Sequence, residues 1–172
     1  RSIVFAVQSE RTGYDYSTDL HSISCVELLD RKITSNTYGV YVFPRRLDPD
    51  ELSKITGCPK EVCADFFWFD DTVDGFRSFV SDAELIFHDA KSSISTINAE
   101  LGRLNRPFLI GEEFIDTCDL VDEFVGEPTH LVWFATQHGI SVPVRGDPMI
   151  DCARLNAEIY LELKGDRYVS SN

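Results

Sequence analysis

Carboxylates at Glu10, Asp89, Asp147 and Asp151 are the groups in this chain with the plainest chemistry. Ionised oxygens are the donors that a hard cation such as Mg²⁺ requires. They lie in or beside three stretches, residues 5–13 (FAVQSERTG), 87–101 (FHDAKSSISTINAEL) and 146–163 (GDPMIDCARLNAEIYLEL). The same stretches hold a thiol, Cys152, and an imidazole, His88. A cysteine nucleophile needs a base or a cation beside it. No histidine stands next to Cys152 in the sequence, so a space-filling thiol is the plain expectation there.

The remaining cysteines argue against a zinc centre. Cys25, Cys58, Cys63, Cys118 and Cys152 form no C-x-x-C pair and do not alternate with histidines. Free thiols in a reducing cytoplasm or organelle matrix are expected. The formal charge is −13, from 29 acidic and 16 basic side chains. Proteins bind nucleic acid largely by neutralising phosphate with Lys and Arg. This balance counts against tight stand-alone nucleic-acid binding and leaves contact that is weak or delivered by a larger partner. No apolar run approaches the roughly 18–20 residues of a membrane span.

The elements that must carry these groups follow from periodicity. Residues 2–7 form a short apolar run suited to a buried strand. Residues 20–28 and 37–43 are β-rich, and the polar stretch 30–36 between them predicts a hairpin. A short helix is expected over 48–54, a helix over 73–80 and a buried strand over 84–88. Ile94, Ile97, Leu101 and Leu104 recur at helical steps and predict an amphipathic helix over 92–105. A strand leading into a helix follows over 114–124, then helices over 130–138 and 149–163. Strands first, then alternating strand and helix, predict one α/β domain on a mixed sheet. The domain is expected to span 1–164, with a polar tail over 165–172.

Phe66, Phe67, Trp68 and Phe69 are consecutive, so they cannot all point inward from one element. An exposed apolar patch for a protein partner is the expectation. Nearby acids (Asp65, Asp70, Asp71, Asp74) disfavour stacking on nucleic-acid bases. His130 and His138 flank Trp133-Phe134 and are expected to pack against a helix.

The chain resembles the DEDDh 3′–5′ exonuclease family, most closely its epsilon-type (proofreading) branch. The resemblance runs through Val26-Glu27-Leu28, the segments 40–44, 82–88 and 98–101, Asp116-Thr117 and the helix 157–163. It implies an RNase H-like α/β fold with a five-stranded mixed sheet flanked by helices. It also implies two-metal phosphodiester hydrolysis, in which four carboxylates hold two ions and a histidine deprotonates water.

Carried over residue by residue, most of those ligands are missing. The first motif, D-x-E-T-T-G, anchored on Thr12-Gly13, places its acids at Gln8 and Glu10. Anchored instead on Ile3-Val4 it places them at Ala6 and Gln8. The first anchor is preferred because it needs no gap before the glycine. The second motif, H-N-A-x-F-D, keeps His88 and Ala90 but puts Ser93 at the metal aspartate. His88 closes a strand in that family, which implies a structural role, and Lys91 could occupy metal space beside Glu10. The third motif, H-x-x-x-x-D, counted back from Tyr160, falls on Asp147 and Cys152. The implied protein is a degenerate, exonuclease-like module with a structural or protein-interaction role. No cofactor is expected. The alternative is an active or weakly active 3′–5′ exonuclease of proofreading type using Mg²⁺ or Mn²⁺ on the substitute ligands Glu10, Asp89, Asp147 and Asp151.

Overall fold

A computed structural model describes residues 1–11, 18–109, 114–142 and 148–165. Five strands form one mixed sheet: β1 (Ser2–Arg11), β2 (Thr18–Leu29), β3 (Lys32–Tyr41), β4 (Glu84–Phe87) and β5 (Phe114–Asp116). Their order is β3-β2-β1-β4-β5. β2 runs antiparallel to both β1 and β3, while β4 runs parallel to both β1 and β5. Among the described residues seven helices surround the sheet: α1 (Pro49–Thr56), α2 (Lys60–Cys63), α3 (Phe69–Val80), α4 (Ala90–Arg103), α5 (Thr117–Val125), α6 (Leu131–Gln137) and α7 (Pro148–Leu163).

Side-chain alternation along β1 sorts the core into two layers. Ile3 and Phe5 face a cluster built with Phe76, Phe87, Ile97 and Leu101, from α3, β4 and α4. Val4 faces the other side, where Val26 and Ile86 meet Ala153, Ala157 and Leu161 of α7. The alanines let α7 lie close to the sheet. A third cluster joins α5, α6 and α7 through Val121, Phe134, Ile140 and Ile159. Phe5 is the hinge of the first layer. It stacks on Phe87 at 4.2 Å between centroids and meets Phe76 edge-on at 6.3 Å.

Several expected boundaries move. The β2–β3 link is not 30–36 but two residues, Asp30 and Arg31, both with positive φ (49° and 61°). Such a turn matches the twist of paired strands, so β3 begins at Lys32. α3 starts four residues before the expected 73, because Phe69 is already core. The short α2 carries no sequence signal that periodicity could detect. Of the tail expected over 165–172, residues 166–172 lie outside the described residues. Among the described residues, no helix is long and apolar enough to cross a membrane.

Candidate functional site

In an open α/β sheet the carboxyl ends of parallel strands are where helix N-termini and loops converge. Here that edge gathers the ends of β1, β4 and β5, the first turn of α4 and the N-terminal half of α7. Asp116 organises it. One carboxylate oxygen accepts from the Asp89 and Cys118 amides at 3.1 and 2.9 Å, and the other accepts from Ala90 at 2.7 Å. A single anion thus ties the N-termini of α4 and α5 to β5, where the helix dipoles favour negative charge.

Asp89 turns the chain into α4 with a left-handed backbone (φ 57°), and its side chain caps the Ser92 amide at 3.3 Å. Ser93 lies one turn into the helix and is 7% exposed. Its hydroxyl donates back to the His88 carbonyl at 3.4 Å. Lys91 is exposed.

His88 is held as a neutral ring. Burial lowers its pKa, against the opposing pull of Asp116 and Asp89. The Thr117 hydroxyl donates to the Phe87 carbonyl and so accepts from His88 Nδ1, at 3.1 Å in each case. That leaves Nε2 as the acceptor. Cys118 Sγ lies 3.5 Å from Nδ1 and 3.4 Å from Nε2. A sulfur equidistant from both nitrogens sits over the ring, because in the plane it would collide with Cε1. It is therefore off the Nε2 lone pair, and burial raises the Cys118 pKa. The pair is a packing contact rather than a thiolate–imidazole couple.

On β1, Ala6 packs against the α7 layer that includes Ile150 and Ala153. Gln8 stands opposite Ser22, whose hydroxyl donates to Gln8 Oε1 at 2.9 Å. The β1–β2 register breaks between Gln8 and Ser9, which leaves His21 as an extra residue in β2. Glu10 lies beyond this bulge, opposite Asp19. His21 is 7% exposed and burial lowers its pKa, with Glu10 pulling the other way. Cys152 is half-buried. Burial, then the Asp151 charge, raises its pKa, so it is a thiol and not a thiolate. Asp151 is exposed on the next helical position. Asp147 lies outside the described residues. Among the described residues, no three His, Cys, Asp or Glu side chains are grouped closely enough to hold a metal ion. A cavity of about 800 Å³ lies at the opposite end of the sheet, between Arg1, Arg77 and Asp82.

Two positioning residues escaped the sequence reading. Asn156, 5% exposed, donates to the Phe5 carbonyl at 2.8 Å and locks α7 to β1. A lone amide on an apolar helix face was the available signal. His21 gave none, because a bulge is invisible in a strand-like run.

The aromatic run divides. Phe69, expected to face a partner, is core at 1% exposure and packs near Phe76. Phe66 stacks on Tyr41 at 4.7 Å. Phe67 and Trp68 are 58% and 46% exposed. Trp68 leans on Phe43 at 5.1 Å, and the Arg45 guanidinium lies 5.6 Å from its ring. His130 caps α6 by accepting from the Val132 amide at 3.3 Å. His138 stacks on Phe134 at 4.2 Å and meets Glu162 at 3.0 Å.

This sheet order, with α4 packed on one face and α7 on the other, is the DEDDh exonuclease fold. The nuclease domain of the DEDDh exonuclease 3′hExo, solved bound to rAMP, superposes with a TM-score of 0.76 at 14% identity, covering 95% of this chain and 90% of that one. Exonuclease X, solved with 5′-overhanging duplex DNA, superposes with a TM-score of 0.65 at 17% identity, covering 96% and 92%. At such identities the likeness concerns the fold. In sequence, the chain is similar to DNA polymerase III subunit epsilon of Rickettsia conorii, at 29% identity over 168 residues, 94% of this chain and 73% of the relative. It is 30% identical over 149 residues to the same subunit of Salmonella typhimurium, 83% of this chain and 61% of the relative. No family model matches the chain. The resemblance drawn from the three stretches stands: the chain is similar to DEDDh 3′–5′ exonucleases and, among them, to polymerase III epsilon subunits.

Proposed function

We propose that this is a catalytically degenerate exonuclease-like domain, kept for a structural or protein-interaction role in a nucleic-acid-processing complex. One observation carries the reading: the positions that the motif matches assign to the four metal carboxylates hold groups without fixed negative charge. Ser93 is committed to the His88 carbonyl and Cys152 stays protonated. Ala6 lies on the sheet face that packs with α7, in the cluster that includes Ala153, and this supports the Ile3-Val4 anchor of the first motif over the Thr12-Gly13 anchor. By that anchor the missing acids are at Ala6 and Gln8, and Glu10 sits past the bulge, outside the ligand set. Four neutral groups cannot offset the cost of stripping water from Mg²⁺. The name of the epsilon relatives, a subunit of DNA polymerase III, supports a role beside a larger protein partner.

Metal titration and a 3′-end cleavage assay test this together. The unmodified protein should neither bind Mn²⁺ measurably by calorimetry nor shorten single-stranded DNA or RNA. Adding Ala6→Asp, Gln8→Glu, Ser93→Asp, Asp147→His and Cys152→Asp should create Mn²⁺ binding. The set built on the other anchor (Gln8→Asp, with Glu10 retained and the same last three changes) should bind more weakly. Chelator-sensitive cleavage by the unmodified protein, lost in Glu10→Ala, would show that substitute ligands work and that the proposal is wrong.

A further inference from the structure

We infer that the surface over residues 61–71 docks a partner segment that is basic and carries an apolar anchor, which rests on the interaction role proposed above. Val62, Phe67 and Trp68 expose 49%, 58% and 46% of their surface within this short stretch. Isolated exposed apolar side chains are ordinary, but clustered aromatics are typical anchors of interfaces. These are also held in place before any partner arrives. The Phe67 amide donates to the Tyr41 carbonyl at 3.2 Å, and the Phe67 carbonyl accepts from Phe43 at 2.8 Å. This adds a one-residue bridge to the sheet edge at Val42. Trp68 rests on Phe43 and Arg45. A fixed ring loses little freedom on binding.

Charge selects the occupant. The neighbouring cations are already engaged: Arg45 with Asp70 at 2.7 Å, and Lys60 with Asp50 at 3.4 Å. Glu61, Asp65 and Asp71 are exposed and make no ion pair among the described residues. The patch is therefore an apolar centre with a negative rim. A phosphate backbone is repelled by that rim, and a second copy brings another −13. A polypeptide with Lys or Arg beside a large apolar side chain satisfies both features.

The test uses Trp133→Phe protein, so that Trp68 is the only tryptophan. Two synthetic peptides are titrated, each with one Leu-Phe anchor, flanked by lysines in one and by glutamates in the other. An oligothymidylate is the third probe. The lysine peptide should shift Trp68 emission to the blue, and added salt should weaken binding. Phe67→Ala, checked for unchanged thermal unfolding, should lower affinity about tenfold or more. Asp65→Lys with Asp71→Lys should reverse the preference toward the glutamate peptide. No response to the lysine peptide, equal response to both peptides, indifference to the charge reversal or tighter oligonucleotide binding would each overturn the inference. These outcomes leave the metal and cleavage results untouched, so the two readings fail separately.

Discussion

Replacing Asp116 by Ala removes a carboxylate that accepts three backbone amides at once, from Asp89, Ala90 and Cys118. Losing an N-cap costs about 1 kcal/mol, with a range of roughly 0.5–2. Here the same anion also serves the start of α4, so a second term of similar size applies. A fully buried, charge-assisted bond would cost about 1.5–3 kcal/mol each. Asp116 is half-buried and Asp89 exposed, so water rescues part of that loss. The sum is about 2–3 kcal/mol, a drop in melting temperature on the order of 5–10 °C for a domain of this size. Asp116→Asn keeps one acceptor for two of the amides and turns an N–H toward Ala90. It should cost about half as much. Urea denaturation followed by circular dichroism measures both. Amide exchange should also quicken in the first turns of α4 and α5 and not in α7. A cost below about 1 kcal/mol for Asp116→Ala, or equal costs for Ala and Asn, would refute the bridging argument.

Two further outcomes follow from buried polar groups. His21 and His88 both have pKa values lowered from 6.5 by burial, so the unfolded chain takes up their protons first as pH falls. Stability should therefore be full above about pH 6.5 and decline below it, as linkage requires for buried neutral histidines; His21→Gln should flatten that slope between pH 8 and 5, and an unchanged slope would sink the assignment to His21. Asn156→Leu should cost about 1–3 kcal/mol despite its apolar surroundings, because the Phe5 carbonyl loses its donor; a neutral or stabilising result by denaturant titration would mean that the amide is dispensable.

The parts of this fold that sequence could reveal are those dictated by a repeating environment. α4 and α7 present apolar residues at helical spacing because each packs one face on the sheet. Val4 and Phe5 are 0% and 1% exposed on opposite sheet faces, which is why the first strand reads as an unbroken apolar run. The two-residue turn at Asp30-Arg31 escaped because neither residue is a glycine, and Asp30 and Arg31 look like solvated charge. The split of the aromatic run escaped for a related reason. Phe69 enters α3 as core, while Phe67 is drawn outward by a backbone bridge to Val42 that no local pattern encodes.

The candidate site shows the same division more sharply. Residue types alone, with helical spacing from Asn98 and Tyr160 carrying the register, put Ser93 and Cys152 where the resemblance expects ligands. They could not choose between the two anchors on β1, because both put a neutral residue where the motif has its aspartate. The bulge between Gln8 and Ser9 bears on that choice by taking Glu10 out of the β1–β2 register that Gln8 keeps. A carboxylate there stands opposite Asp19 and acts on the His21 ring. The acids that do remain at the edge have other work. Asp116 and Asp89 accept backbone amides at the helix starts, and an anion that already holds three donors has little lone-pair capacity left for a cation. That edge is tied together by hydrogen bonds within the chain, so its geometry does not require a bound ion.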